Sequence, residues 1–302
     1  MFRSRLVAAL AATALTLVGC AASSTSTEPD TGVPSTLRVG IIPNIAPEKQ
    51  QAKYEPFAEY LGAKLGTKVE LFVASDYAGV VAALVGGRID MAYLGGLTYV
   101  QGDRQVPLTP LVTEIDATTG TEKYESAVVV KSDSAIKSLA LDVVAKGGSF
   151  AFGDPASTSG SLYPRQMITE AGARCDVLDL TSCPPLSRVL FTGGHDATAK
   201  AVLSGSVDAG GLELRVLRRL EKDGTIPSGS LRVIETRLVQ GYPWVMRTEL
   251  GAKAQQQLTD LFLSITDPAL LDLLRAKRYV AVTSSDYDDL RGVATTLGLL
   301  KE

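Results

Sequence analysis

One pattern occurs twice in the chain and constrains the fold more than any other feature. It reads "VVAALVGGRIDMAYLGG" from residue 80 and "TAKAVLSGSVDAGGLE" from residue 198. Each copy runs through a helical apolar segment, a glycine turn, a polar residue, Ile or Val, Asp, and a short strand. Strands precede both helices, "KVELFV" from residue 68 and "RVLFTGG" from residue 188. A strand, a helix and a strand at this spacing pair in parallel through a right-handed crossover, which makes each half an α/β lobe.

The flanking segments extend both halves. "TLRVGIIP" from residue 36 is a short β-branched strand that stops at Pro43, and "KYEPFAEYLGAKLG" puts Phe57, Tyr60, Leu61 and Leu65 at helical spacing before Gly66. "SDYAGVVAALVGGRID" from residue 75 is a helix capped by Ser75 or Asp76. In the second half, "SAVVVKSD" and "SFAFGDP" read as strands and "SGSLYPRQMITEAG" as a helix start. "LRVIE" and "YPWVMR" are further strands, and "AKAQQQLTDLFLSI" and "DPALLDLLRAK" are helices by their Leu spacing. The expected architecture is two α/β lobes, residues 37–125 with 240–302 and residues 126–239, joined by two extended crossings. The C-terminal helices then pack back on the first lobe. A chain of 302 residues that is 45% hydrophobic has the length and apolar content for two such cores.

The N-terminus, "MFRSRLVAALAATALTLVGC", has Arg3 and Arg5 before an apolar run too short to span a bilayer as a mature helix, so residues 1–20 read as an export signal. "LVGC" resembles a bacterial lipobox, which implies a lipidated Cys20. The other reading is a plain secretory signal with an incidental cysteine. The polar run over residues 21–36 then serves as a flexible tether, and the body belongs outside the cytoplasm at the cell membrane. In that oxidising setting Cys175 and Cys183 read as a disulfide worth about 2–3 kcal/mol in the chain-entropy picture, with two buried thiols as the alternative. The chain has a single histidine, His195, so a zinc site of the usual kind is hard to assemble and no metal or cofactor is expected. A net charge of −3 without a long basic run argues against nucleic acid.

Three turns place small or polar residues where a strand gives way to a helix: "VASDYAG", "FGDPASTSGS" and "FTGGHDATA". In open α/β sheets such turns line the ligand crevice. A helix N-terminus offers unpaired N–H groups and about half a positive charge, so three together suit a dianion without Lys or Arg. Ser157, Thr158 and Ser159 add hydroxyl donors, and Gly160 lets the backbone come close. Each also has a plainer reading. "STSG" can be a loop with an N-cap, His195 and Asp196 can be polar residues at a helix start, and Tyr77 and Tyr93 can be core aromatics.

"ASDYAGVVAAL", "DMAYLGG", "FAFGDPASTSGSLYP" and "GGHDATAKAVLSGSVDAGG", in this order, resemble the phosphate/phosphite/phosphonate substrate-binding proteins of ABC transporters. The resemblance covers nearly the whole chain after the signal. It implies a type II periplasmic-binding fold with the two crossing strands as hinge, and partners in an ABC permease and ATPase. It also implies contacts from Tyr77, Tyr93, Ser157, Thr158, Ser159 and His195 to a small phosphorus oxyanion. Asp196 could accept the proton of a singly protonated ligand. Two segments depart from the family pattern, "GIIPNIAPEKQ" and "LVQGYPW". Glu213 is a candidate partner for a ligand amine, or else a solvated acid at a strand end, while Pro43, Asn44 and Glu48 are candidates to line the cleft. A hydrolase using Ser, His195 and Asp196 is disfavoured, because adjacent His and Asp cannot form the needed line of hydrogen bonds and no "GxSxG" elbow is present. The alternative is a type II binding protein for another small anion, or one that presents its ligand to a sensor instead of a permease. The protein is expected to work as a monomer.

Overall fold

A computed structural model describes residues 32–273 and 275–300. The export signal, Cys20 and the tether through residue 31 lie outside the described residues. The first sheet takes β1 (Thr36–Ile41), β2 (Lys68–Val73), β3 (Met91–Tyr93) and β4 (Leu108–Asp116), interleaved with α1 (Pro47–Leu65), α2 (Tyr77–Val85) and α3 (Gly96–Asp103). The second takes β5 (Lys123–Lys131), β6 (Ser149–Phe152), β7 (Arg188–Phe191), β8 (Ala209–Glu213) and β9 (Leu231–Gln240), with α4 (Tyr163–Glu170), α5 (His195–Leu203) and α6 (Leu214–Lys222). The chain then returns to the first sheet through β10 (Trp244–Arg247), α7 (Gly251–Leu263), α8 (Pro268–Leu273), β11 (Ala276–Ala281) and α9 (Asp288–Thr296).

Strand order is β11-β4-β10-β3-β1-β2 in one sheet and β7-β6-β8-β5-β9 in the other. The crossover units pair in parallel as expected, β1 with β2 and β3, and β6 with β7 and β8. The returning strands run antiparallel, β10 between β3 and β4 and β5 between β8 and β9. Period-two alternation explains why the second sheet is covered on both faces. Val128, Val130, Phe150 and Phe152 face one apolar cluster, and Ala127, Val129 and Ala151 face the other.

Two short crossings join the sheets, residues 117–122 between β4 and β5 and residues 241–243 between β9 and β10. They are tied together where Gly241 N donates to Glu122 O at 2.8 Å. A Cβ at Gly241 would lie 2.4 Å from Thr113 Oγ1 and 2.6 Å from Glu122 O, so only glycine fits at this junction. Beside it a chain of aromatic rings runs from the first core toward the cleft. Phe57 stacks on Trp244 (5.2 Å), Trp244 meets Tyr93 (4.9 Å), Tyr93 stacks on Tyr242 (5.1 Å), and Tyr242 meets Tyr124 (5.2 Å).

Several elements differ from the expectation. Helix α1 begins at Pro47, where a proline at the first helical position costs no hydrogen bond, not at residue 53. Strand β9 runs on to Gln240, and α3, β4, α6 and α9 have no counterpart among the elements expected from the sequence. The helix expected over residues 267–277 stops at Leu273, because Arg275 turns to φ 53 and Ala276–Ala281 pairs with β4. Tyr279 on that strand packs edge-on against Phe262 at 5.3 Å, a burial that continuing the helix would forfeit. Gly32–Ser35, expected in the tether, dock on the body. Val33 N donates to Gln257 Oε1 (3.1 Å), and Lys68 N donates to Ser35 O (3.1 Å). Cys175 and Cys183 are joined by a disulfide.

Candidate functional site

The floor of the site is built at the end of β6. Gly153 N donates to Gly160 O (2.8 Å) and Leu162 N to Ser157 O (3.0 Å), the latter an i to i+5 bond that winds Thr158–Leu162 as a π turn. Such turns recur at functional sites. The turn points three adjacent hydroxyls in different directions. Ser157 Oγ accepts from Gly160 N at 3.0 Å, so its plain capping role is real, and it lies beside the Tyr77 phenol. Thr158 Oγ1 crosses to the other lobe and accepts from Leu97 N at 2.9 Å, in the first turn of α3. Ser159 Oγ is fully buried and meets no partner. Gly160 is needed here because a Cβ would lie 2.9 Å from Ser157 Oγ and 3.0 Å from His195 Cε1.

His195, first residue of α5, forms the adjacent wall. Its Nδ1 accepts from Glu213 N at 3.4 Å. Burial pushes its pKa down, against the pull of Glu213 and Asp196, so the ring is neutral near pH 7. A neutral ring accepting at Nδ1 carries its proton on Nε2. That Nε2–H is buried without a hydrogen-bond acceptor, its nearest carboxylate being Glu213 Oε2 at 3.8 Å. The Tyr124 hydroxyl lies next to Ser159 and Tyr242 without a hydrogen bond of ordinary geometry. Ser159 Oγ, His195 Nε2–H and Tyr124 OH are thus three buried polar groups without a protein partner of ordinary hydrogen-bond geometry, the kind of group that costs about 1–3 kcal/mol while unmet. Asp196, the second residue of α5, is buried on the same wall with Lys200 3.9 Å away.

The expected cage of three helix starts is only partly realised. Lobe contacts already use the first N–H of α2, where Tyr77 N donates to Asp154 Oδ2 across the cleft at 3.2 Å. They also use the first N–H of α5, where His195 N donates to Asn44 O at 3.1 Å. The helix dipoles still face the cleft, but these particular donors hold the lobes together. Burial raises the pKa of Asp154, with Ala156 N and Tyr77 N pulling the other way.

Opposite the hydroxyls stands a charged wall. Arg215, in the first turn of α6, donates from Nε to Glu213 Oε1 (2.5 Å) and from Nη1 to Glu114 Oε1 (2.7 Å) and Asp116 Oδ2 (3.5 Å). Tyr242 OH donates to Glu213 Oε2 (2.8 Å) and Tyr93 OH to Glu114 Oε1 (3.2 Å). The guanidinium also lies 4.4 Å from the Tyr124 ring centroid and 5.5 Å from that of Tyr242. Burial alone would lift the Glu213 pKa, but Arg215, His195 and the Tyr242 hydroxyl more than offset it and hold it low. Glu114 is raised instead, because burial outweighs Arg215 there.

The cavity beside this wall encloses about 640 Å³ including its open mouth, between α1 and α6. Tyr93, Asp196, Glu213, Arg215, Asn44, Lys53 and Arg219 are among the residues that line it. Burial and the neighbouring Arg219 lower the Lys53 pKa to about 7.

The structure therefore gathers Tyr77, Tyr93, Ser157, Thr158, Ser159, His195, Asp196, Asn44 and Glu213 around the cleft. Glu213 is buried, not solvated. Glu48 does not join them. It is exposed and faces away, because Lys49 and Lys53, four residues apart, occupy the side of α1 that meets the cleft. Sequence reasoning missed Arg215, Glu114, Asp116, Tyr124, Tyr242 and Asp154. A usable signal existed for two of them: Glu114 and Asp116 lie two apart in the apolar run "LTPLVTEID", and buried acids on one strand face demand a cation. Among the described residues, no group of His, Cys, Asp or Glu side chains is arranged to hold a metal ion, and no helix is long and apolar enough to cross a membrane.

A family model described as "ABC transporter, phosphonate, periplasmic substrate-binding protein" matches residues 39–287. The chain is 29% identical to the phosphate-import protein PhnD of Mycolicibacterium smegmatis, over 97% of this chain and 96% of that protein. It is 26% identical to the probable ABC transporter phosphite binding protein PhnD1 of Prochlorococcus marinus, over 89% and 92% respectively. Among solved structures, a binding-protein component of an ABC phosphonate transporter from Pseudomonas aeruginosa superposes with TM-score 0.74 at 25% identity, covering 87% of this chain and 86% of that one. PhnD1 of Prochlorococcus marinus in complex with methylphosphonate superposes equally well at 24% identity, covering 88% and 99%. With a type II binding-protein fold and a family match over most of its length, the chain belongs to the family of periplasmic substrate-binding proteins of phosphonate ABC transporters.

Proposed function

We propose that the protein captures a small phosphorus oxyanion between its lobes and delivers it to an ABC importer, held at the membrane as a monomer by a lipid on Cys20. The observation that carries the reading is the set of buried groups without an ordinary protein partner at the end of β6, Ser159 Oγ, His195 Nε2–H and Tyr124 OH. An oxyanion presents acceptors in several directions, and in a dry site each hydrogen bond to it is charge-assisted. Asp196 supplies an acceptor on the same wall, which suits a ligand that keeps one proton. The relatives add support: one is named for phosphate import, one for phosphite binding, and one structure holds methylphosphonate. Closure is a hinge motion about the two crossings, driven by a ligand that touches both lobes at once.

Calorimetry on a form beginning at Ala21 tests this, with phosphate, phosphite, methylphosphonate and, as controls, sulfate and methanesulfonate. Binding of at least one phosphorus oxyanion well above both controls is expected. A preference for a sulfur oxyanion would overturn the reading. For the anchor, Cys20→Ala should release the full-length protein from the membrane fraction, and retention there would remove the lipid.

A further inference from the structure

We infer that Arg215 is a specificity-determining residue, an internal cation that fills the place a cationic ligand group would take, so that the site accepts only oxyanions whose remaining substituent is small and uncharged. This deepens the functional reading above and rests on it.

The argument starts from the charges. Glu114 and Asp116 on β4 and Glu213 at the end of β8 converge from two lobes on one point. Three buried carboxylates in one place form a cation site by elementary electrostatics, and left empty they would be strongly destabilising. The chain supplies the cation itself. Arg215 is 8% exposed, spans all three acids within 3.5 Å, and is flanked by the Tyr124 and Tyr242 rings. It also lines the cavity with Tyr93, Asp196 and Glu213, so a ligand tail that reaches this cavity meets the guanidinium beside the Glu213 carboxylate.

Both oxygens of Glu213 are already engaged, Oε1 by Arg215 and Oε2 by Tyr242. An ammonium on a ligand tail would have to share the carboxylate with them, beside a guanidinium of its own sign. Elsewhere in the same cavity it would meet Lys53 and Arg219. Volume and charge therefore act together: the guanidinium shortens the space next to the hydroxyl floor and repels a positive tail.

Binding of methylphosphonate, propylphosphonate and 2-aminoethylphosphonate to the wild type, Arg215→Ala and Arg215→Lys separates the two effects, with propylphosphonate as the uncharged match for the amine. The wild type should hold 2-aminoethylphosphonate at least 100-fold more weakly than methylphosphonate. In Arg215→Ala that ratio should narrow at least tenfold, with the amine gaining more than propylphosphonate, while Arg215→Lys should keep the wild-type preference. If the alanine protein does not fold, the double variant Arg215→Ala/Glu114→Gln removes one uncompensated charge and gives the same readout. Equal wild-type affinity for the methyl and aminoethyl compounds would overturn the proposal, as would equal gains for the amine and propyl compounds. Either result leaves phosphorus-oxyanion binding standing, whereas a wild type that binds none of the three or phosphate sinks both readings together.

Discussion

The two ends of the cleft are built from polar groups in opposite states. At the hydroxyl end, Ser159 Oγ, His195 Nε2 and Tyr124 OH are buried without a protein hydrogen bond of ordinary geometry. At the Arg215 end, partners surround every acid: Arg215 and Tyr242 on Glu213, Arg215 and Tyr93 on Glu114, and Arg215 with Thr118 N and Thr119 N on Asp116. Unmet donors cost stability in the free protein and are repaid when a ligand arrives. A network complete within the chain gains nothing from a ligand, so it works as a wall. In the proposed function the same sort of chemistry, buried and polar, thus serves as receptor at one end and as boundary at the other.

The sharpest break of that contrast removes the cation. Arg215→Met keeps much of the side-chain volume but strands three buried acids, and losing one partner of a buried charge cluster costs about 3–5 kcal/mol. Thermal unfolding without ligand should show a fall in Tm of about 10 °C, using about 2–4 °C per kcal/mol for a body of this size. A fall under about 2 °C would mean that the acids protonate or reach water easily, and that the wall is not a closed network.

At the hydroxyl end the expected order of effects reverses, since binding should suffer and stability should not. Ser159→Ala removes a buried hydroxyl without a partner, so the free protein should be as stable as the wild type or slightly more so. Its oxyanion affinity should drop about 10- to 150-fold, the value of one charge-assisted hydrogen bond of about 1.5–3 kcal/mol. Ser157→Ala provides the internal control. That hydroxyl caps Gly160 N, so its loss should cost about 1 kcal/mol of stability in addition to any loss of affinity. Thermal melts with and without ligand read both quantities, and identical behaviour of the two variants would undo the distinction between them.

The two ends also differ in how far the sequence exposes them. The hydroxyl floor is a contiguous string, "GDPASTSG", followed one strand later by "GGHD", and local turn chemistry alone marks it as a place for an anion. The charged wall draws Glu114, Asp116, Glu213, Arg215 and Tyr242 from three separate stretches, which meet only because β4, β8 and the second crossing come together. No local pattern records such a meeting. Glu213 was visible as a strand-end acid, yet the partner that decides its role sits two residues on, at a helix start where an arginine looks solvated. The parallel crossover units were legible because helix and strand periods alternate cleanly there. Strand β4 was not, because Pro110 interrupts it and its residues are buried almost throughout, without a polar face to set the period. The end of α8 was hidden as well, since the turn to positive φ falls on an arginine, which carries none of the signal that a glycine gives.

A smaller effect joins the two ends through His195. Burial lowers its folded pKa, so between that value and the unfolded value of about 6.5 the unfolded chain binds more protons. Stability supported by the neutral ring is therefore full above about pH 6.5 and is lost as pH falls below it. Glu213, held low, adds a loss of the same sign at more acid pH, while the raised Glu114 acts in the opposite sense. His195→Asn isolates the imidazole, because both glutamates remain. Urea midpoints at pH 7 and pH 5 should fall further in the wild type than in the variant, and equal slopes would show that the ring does not stay neutral in the fold.

The smallest test concerns the contacts that hold the lobes together over the floor. Asp154 Oδ2 accepts from Tyr77 N across the cleft while Oδ1 accepts from Ala156 N within its own lobe, so one carboxylate both shapes the turn and caps α2. Asp154→Asn keeps the shape and can keep one acceptor, but it removes a negative charge from a helix N-terminus, worth about 0.3–1 kcal/mol. Because the lost contact spans the lobes and lies above the bound ligand's floor, the change should appear as faster ligand release with little change in the rate of capture. Stopped-flow measurement of both rates checks this, and a slower capture at unchanged release would show that Asp154 acts before closure, not after it.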